Sequence, residues 1–330
     1  MKKYIVLAIL AVTILACKKE SKPVLNKVSG PVFGTTYSIQ YATLGEIDYA
    51  RQFDSLFAVI NNSMSTYDEN SIISKLNDNR IKFVDDHFIN VITKAKEVYK
   101  ETDGAFDPTI GVLVNAWDFG PEGKVAYLDS AEVENLMKRV GFGKVLIRHN
   151  EIIKTESNMF LDFNAIAKGY GVDVIADYLE SKNVSDYLVE VGGEIRAKGM
   201  NIEKNSNWKV GIEDPNFDGS QSVMKAVSMH DGAMATSGTY RKFKVDENGN
   251  RYAHIIDTKT GYPSKTNLLS ISVMADDCMT ADAYATAFKA MGIEKVKQFL
   301  KRHPELKVFL IFENEDNEFE TLSLNGFPEA

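Results

Sequence analysis

The stretch S-I-S-V-M-A-D-D-C-M-T-A-D-A-Y-A-T-A, from Ser270 to Ala287, changes character halfway along. Ser270–Met274 reads as a strand. Asp276, Asp277 and Thr280 then crowd the first turn of a helix, where each can cap free backbone N–H groups. Within A-D-A-Y-A-T-A, Asp282 and Thr286 are four residues apart, so a carboxylate and a hydroxyl stand one above the other on one helix face. That pair is half of a site for a hard cation such as Mg²⁺, which takes oxygen ligands and shares its open positions with phosphate. The plainer alternative is a helix start whose acids only cap. Further along, Ile293, Val296, Phe299 and Leu300 form an amphipathic helix ended before Pro304, and Val308–Phe312 reads as another strand.

Working toward the N-terminus, helices and strands continue to mix. Phe53, Leu56, Phe57, Ile60 and Met64 recur at helical spacing, as do Val91, Ile92, Ala95, Val98 and Tyr99. Asp129 with Glu132 makes a capping box ahead of Val133, Leu136, Met137 and Val140, with Gly141 as the expected stop. Strand-like runs are Val145–Ile147, Tyr187–Val191, Lys209–Glu213 and Val223–Met229. Phe243–Val245 and Tyr252–Ile256 flank D-E-N-G-N, Asp246 to Asn250, as a hairpin would. The pattern predicts an α/β or α+β protein with at least one mixed sheet.

Composition bounds the partners. The 330 residues are 44% apolar and 25% charged, an ordinary globular balance with no repeat. The net charge of −8 argues against nucleic acid. Lys2 and Lys3 precede an apolar run from Tyr4 to Ala16 that is short for a membrane span and laid out like a signal peptide. Ile14-Leu15-Ala16-Cys17 looks like a bacterial lipobox, and cleavage there would leave Cys17 as a lipidated first residue and a net charge of −10. An uncleaved anchor is the alternative. The expected organisation is a signal peptide over 1–16, a lipidated tether over 17–29 and one catalytic domain over 30–330, lipid-anchored in the cell envelope and facing the periplasm. Cys278, the other cysteine, then has no disulfide partner and reads as packing.

Familiar nucleotide and metal motifs do not fit. No G-x-x-x-x-G-K-[ST] occurs, Gly169-Tyr170-Gly171 lacks the third glycine of a dinucleotide fingerprint, and the five His are scattered without H-E-x-x-H. Other segments are more informative when taken in order: F-G-T-T-Y (Phe33 to Tyr37), S-T-Y (Ser65 to Tyr67), G-A-F-D-P-T-I-G (Gly104 to Gly111), D-F-N-A-I-A-K-G-Y-G (Asp162 to Gly171), V-E-V-G-G-E (Val189 to Glu194), A-T-S-G-T-Y (Ala235 to Tyr240) and H-I-I-D-T-K-T-G-Y-P (His254 to Pro263). Together with A-D-A-Y-A-T-A they resemble the ApbE family, the FAD:protein FMN transferases, from about Gly30 onward.

The resemblance implies two lobes packed around a flavin cleft, with FAD as substrate and Mg²⁺ as cofactor. It implies that Phe33, Tyr67, Ala105, Phe106, Asp107 and Ile256 line the flavin pocket, that Asp162 contacts FAD, and that the Ala165 carbonyl joins Asp282 and Thr286 on the metal. From the residues themselves, Gly192-Gly193 permits close backbone approach to a ligand or is a plain turn. Lys168 opens a helical stretch where a phosphate would meet ammonium and backbone N–H groups, or is a solvated surface lysine. His254 is the candidate base for a hydroxyl nucleophile, or a structural histidine, and Asp257 a candidate to orient it. Thr239 stands where the family usually has Asp, and Thr258-Lys259 where it has Pro-Arg, the last two changes being expected to loosen a loop and weaken a cation. The implied reaction moves FMN from FAD to a Thr or Ser hydroxyl of an exported flavoprotein, such as a subunit of a membrane redox pump, and releases AMP. Two alternatives are an Mg²⁺-dependent FAD pyrophosphatase and a lipoprotein that stores FAD without turnover.

Overall fold

The computed structural model describes residues 22–122, 128–216, 222–239, 243–245, 251–316 and 318–328. Cys17 and the signal-like run lie outside them, as do Tyr240 and the expected hairpin loop Asp246 to Asn250.

Fifteen strands are described: β1 Pro23–Val32, β2 Thr35–Leu44, β3 Val145–Arg148, β4 Glu151–Lys154, β5 Tyr187–Val191, β6 Glu194–Lys198, β7 Met200–Asn201, β8 Ser206–Glu213, β9 Val223–Met229, β10 Gly232–Gly238, β11 Phe243–Val245, β12 Arg251–Ala253, β13 Leu268–Ala275, β14 Lys307–Glu313 and β15 Phe319–Leu324. Eight build the main sheet, in the order β1-β2-β5-β6-β10-β13-β14-β15. Three others form β7-β8-β9, and β3-β4 and β11-β12 are two-stranded ribbons. The α-helices are α1 Ala50–Met64, α2 Ile72–Asn77, α3 Asp86–Glu101, α4 Gly111–Ala116, α5 Ser130–Met137, α6 Ala167–Ser181, α7 Cys278–Met291 and α8 Ile293–Leu300.

The expected mixture of helix and strand is present, but the sheets are not mixed. Every pairing between named strands is antiparallel, which is the α+β form of the expected class. The connections explain it. Phe33-Gly34 and Gly192-Gly193 are two-residue turns with positive φ, which return a chain antiparallel to itself. Two helices, α7 and α8, join β13 to β14, whereas a single crossover helix gives a parallel neighbour.

The apolar stripes are buried as their spacing requires. Phe53, Phe57, Ile60 and Met64 of α1 and Val91, Ile92, Ala95 and Val98 of α3 are all buried. Helices α6 and α7 pack on one face of the main sheet, while Trp208, Val210 and Ile212 of β8 pack with Ile195 and Met234 on the other. Asp277 caps α7, accepting from Thr280 N–H at 2.7 Å, and Asp129 caps α5, accepting from Glu132 N–H at 2.8 Å.

Three expectations need correction. The tether expected over 17–29 is strand from Pro23 onward, paired with β2 in register through Val32. Its proline is tolerated because it opens an edge strand, where no ladder donor is needed. Helix α5 ends at Met137, short of Gly141, whose φ of 126° instead starts a 3₁₀ turn at Phe142. Strand β12 ends at Ala253, so His254 follows the strand instead of lying within it.

Candidate active site

The turn Phe33-Gly34, the N-terminal end of α6, the turn Gly192-Gly193 and one face of α7 converge on a single cleft of about 1280 Å³. Its lining includes His254, Phe33, Tyr67, Ala105, Phe106, Asp107, Asp162, Ala165, Lys168, Gly192, Gly193, Ile256, Asp282 and Thr286. These are all the site residues expected within the described parts of the chain. Asp257 is absent from the lining, and its Oδ1 accepts the Lys259 N–H at 2.8 Å inside the turn Asp257–Gly261. It serves the loop, and the orienting role expected of it is withdrawn.

The polar centre is built by α6 and α7. Asp282 is buried, and its Oδ2 accepts the Gly169 N–H at 3.0 Å. In a regular helix that N–H would reach back four residues to the Ala165 carbonyl. Its neighbours do bond back, Ala167 to Phe163 and Tyr170 to Ile166, but Gly169 gives its proton to Asp282. The Ala165 carbonyl therefore lacks that intrahelical donor, and Ala165 lines the cleft. Thr286, one turn after Asp282, has its Oγ1 3.2 Å from Ser237 Oγ of β10.

Lys168 Nζ lies 2.6 Å from Glu194 Oε1. Glu194, the last residue of V-E-V-G-G-E and one to which sequence alone assigns no role, is almost fully buried, and its Oε2 has no hydrogen-bond partner among the described residues. Burial pushes the Glu194 and Asp282 carboxyls above the usual range, and the Lys168 ammonium pulls both back. Burial also opposes the Lys168 charge, but Glu194 and Asp282 outweigh it and hold that amine above its ordinary value. Two carboxylates against one ammonium leave the centre short of positive charge, and one buried oxygen lacks a partner. A hard cation beside Asp282 fits the shortage of positive charge. Among the described residues no three His, Cys, Asp or Glu side chains form a metal group. The expected ligands, the Asp282 carboxylate with the neutral oxygens of Thr286 and Ala165, all line the cleft, and such a set would suit Mg²⁺, which keeps waters and shares positions with phosphate.

The helices are held in register around this centre. Asp173, one turn after Gly169, accepts Cys278 N–H at 2.9 Å and Met279 N–H at 2.8 Å and pairs with Arg196 at 3.0 Å. Burial raises its carboxyl to about 6, against the pull of those hydrogen bonds and of Arg196. Cys278 is fully buried, with its thiol pushed up by burial, as packing requires. A Cβ on Gly169 would press on the Cys278 carbonyl oxygen and sit 2.8 Å from Asp282 Cβ. Gly169→Ala is therefore expected to lower unfolding stability by about 1–3 kcal/mol through overpacking and to displace Asp282. Urea denaturation together with a turnover assay checks both effects.

The residues expected on the flavin side form an apolar and aromatic wall. Phe33 sits at φ 47°, uncommon for a bulky residue, with its ring edge-on to Phe57 at 5.5 Å. A Cβ at Gly171 would lie 2.9 Å from that ring, so the glycine makes room for it. Tyr67 is 61% exposed at the cleft, and Phe106 and Ile256 are buried. Asp107 lines the cleft, but its Oδ1 is taken by the Thr109 N–H and hydroxyl at 2.8 and 2.7 Å, so the carboxylate shapes the loop. Asp162 accepts the Asn164 N–H at 2.7 Å. His254 stands beside Phe119, ring centroids 6.2 Å apart. The loop expected to loosen is tied down: Thr258 Oγ1 donates to the Gly104 carbonyl at 2.6 Å, and Lys259 pairs with Asp103 at 2.8 Å. These bonds draw the His254 loop onto the Ala105–Asp107 loop.

Known proteins are similar to this chain over most of its length. The family model described as the ApbE family matches residues 33–310. A Haemophilus influenzae protein named FAD:protein FMN transferase is 37% identical, covering 98% of this chain and 96% of its own. A Vibrio cholerae protein of the same name is 35% identical over 96% of this chain and 95% of its own. Among solved structures, the flavin transferase ApbE from Vibrio cholerae superposes with a TM-score of 0.83 at 34% identity, covering 93% of this chain and 99% of that one. The apo flavinyl transferase ApbE of Pseudomonas stutzeri gives 0.81 at 27% identity, covering 92% and 96%.

Proposed function

The chain belongs to the ApbE family, and on that premise we propose that it breaks the pyrophosphate of FAD and passes FMN to a Thr or Ser hydroxyl of a target protein, releasing AMP. It is a transferase with FAD as substrate. The observation that carries this reading is convergence: residues from well-separated segments of the sequence line one cleft around Lys168 and the buried carboxyls of Glu194 and Asp282.

The chain's own groups divide the work. A hydroxyl is a poor nucleophile and needs a base at the moment of attack. His254 takes its proton as the oxygen bonds to the FMN phosphorus and the bond from that phosphorus to the AMP oxygen breaks. Lys168 at the start of α6 faces the phosphates, where an ammonium and the positive end of a helix both favour negative charge. Gly192 and Gly193, at φ 58° and 102°, let the backbone come close without side chains in the way. Asp282, Thr286 and the Ala165 carbonyl would hold Mg²⁺, which when bound neutralises pyrophosphate charge and stabilises the leaving AMP. Phe33, Tyr67 and Phe106 offer rings to the isoalloxazine.

The transfer reading is tested by incubating the protein with FAD, Mg²⁺ and an exported flavoprotein acceptor, then weighing the acceptor. A gain of one FMN on a Thr or Ser is expected. FMN appearing only free in solution would favour the pyrophosphatase, and intact FAD the storage protein. Acceptors of this kind include subunits of membrane redox pumps.

The site of action is proposed to be the periplasmic face of the cell envelope, with a lipid on Cys17. No helix among the described residues is long and apolar enough to cross a membrane. Cys17→Ala should leave the precursor unprocessed or release the protein from membranes, because a lipoprotein's several acyl chains hold firmly where one chain is marginal. Unchanged membrane fractionation together with unchanged lipid labelling would refute the anchor.

A further inference from the structure

Strand β8 has a backbone edge that its own sheet leaves open. Strand β9 pairs with it from Trp208 to Glu213, but on its other side β7 reaches only Ser206 and Asn207. Among the described residues, the backbone from Trp208 to Ile212 is thus laddered by a neighbouring strand on one side only. In an antiparallel pair the residues alternate, so half of these N–H and C=O groups point away from β9. Such an edge is a template for another strand, and proteins usually blunt it.

Here the edge faces a groove. Every residue from Asn207 to Glu213 lines either the catalytic cleft or a smaller cavity of about 110 Å³ that shares Leu188 and Lys209 with it. Side chains of a strand alternate between its faces, so seven consecutive lining residues mean that the edge itself forms the wall. The floor is one face of β2 and β5. Gln40, Ser38 and Thr36 follow one another at every second position of β2, with Gln40 opposite Leu188 and Ser38 opposite Glu190 of β5. Along β5 the same face continues through Leu188 and Glu190 to Gly192. The groove therefore runs beside about 20 Å of strand, at roughly 3.3 Å per residue, and opens at the glycine turn of the active centre. Gly211 lies within the wall, and a Cβ there would press on the Val223 side chain of β9 at 3.1 Å.

We propose that the open edge of β8 docks an extended segment of the target protein, which adds to it as a further strand and carries its hydroxyl along the groove to Gly192, Gly193 and His254. The proposal rests on the transfer reading, and it states how the target is recognised: main-chain hydrogen bonds give affinity and side chains on the β2–β5 floor give selectivity.

A pool of synthetic peptides of about twelve residues, long enough to fill the groove, each with a single Thr or Ser, is incubated with the full chain, FAD and Mg²⁺. Peptides that gain FMN mass are resynthesised with single N-methyl groups along the backbone. Methylation at alternate residues on one side of the acceptor hydroxyl should lower kcat/KM about two- to tenfold, as loss of one hydrogen bond predicts, and the residues between should tolerate it. Binding of the unmethylated peptide should also slow amide hydrogen exchange between Trp208 and Glu213, which FAD alone should not do. Uniform tolerance of methylation, uniform loss, or unchanged exchange in β8 would overturn the docking strand. So would a pool in which no peptide accepts FMN while folded proteins of a periplasmic extract do; in that case the transfer reading stands. Release of free FMN and AMP with no acceptor of either kind would sink the transfer reading, and the docking proposal with it.

Discussion

Asp282→Ala should abolish Mg²⁺-dependent turnover while leaving much of the flavin binding in place. The carboxylate is the only charged group in the donor set, and Thr286 and the Ala165 carbonyl bring no charge to replace it. It is also buried and bonded to the Gly169 N–H, so its loss leaves that donor unmatched in the interior, at a cost of about 1–3 kcal/mol. Lys168 would lose one of the two carboxylates that hold its ammonium above the ordinary value. The Phe33, Tyr67 and Phe106 wall proposed to hold the flavin lies outside this network. Calorimetric titration with Mg²⁺ and fluorescence titration with FAD on the variant separate the two ends of the site. Thr286→Ala should cost less, because water can take the place of a neutral oxygen. Wild-type activity in Asp282→Ala, with EDTA making no difference, would mean that no metal works here.

Replacing His254 by Asn should lower FMN transfer by about 10²- to 10⁴-fold, the range for loss of one general base. Asparagine keeps a polar side chain but takes no proton near neutral pH. His254 lies just past β12 in a loop anchored by Thr258 and Lys259, so the substitution leaves the sheet and the α6–α7 contact untouched. FAD and Mg²⁺ binding should therefore persist. Single-turnover transfer and a thermal melt on one preparation distinguish lost chemistry from lost folding. Normal transfer, or simple failure to fold, would return His254 to a structural role beside Phe119.

The elements that sequence reveals best are those that local spacing dictates. The stripes of α1 and α3 were legible because burial follows a period of 3.6 residues, and the caps at Asp129 and Asp277 because they act within three residues. A period of two marks a strand without naming its neighbour, so the insertion of β10 between β6 and β13, and the antiparallel sheet that results, were not legible. Strand β1 was hidden for the same reason: a polar run with a proline resembles a tether until β2 is beside it. At the site, Asp282 and Thr286 were visible as a helical pair. Glu194 was not, since its partner Lys168 lies in a different element and only the fold brings their charges within 2.6 Å. A lysine facing a cleft at a helix start was the one hint that a buried acid waited opposite. The same limit applied to Thr258 and Lys259, whose bonds to Gly104 and Asp103 close a loop that their identities alone suggested would loosen.

The central claim is that FMN leaves AMP for a protein hydroxyl and not for water. The most direct measurement runs one turnover in ¹⁸O-labelled water and compares acceptor-bound FMN with released AMP. Equal amounts of the two, with no ¹⁸O in the FMN phosphate, are the predicted result; AMP released with ¹⁸O-labelled free FMN and an unchanged acceptor would contradict it.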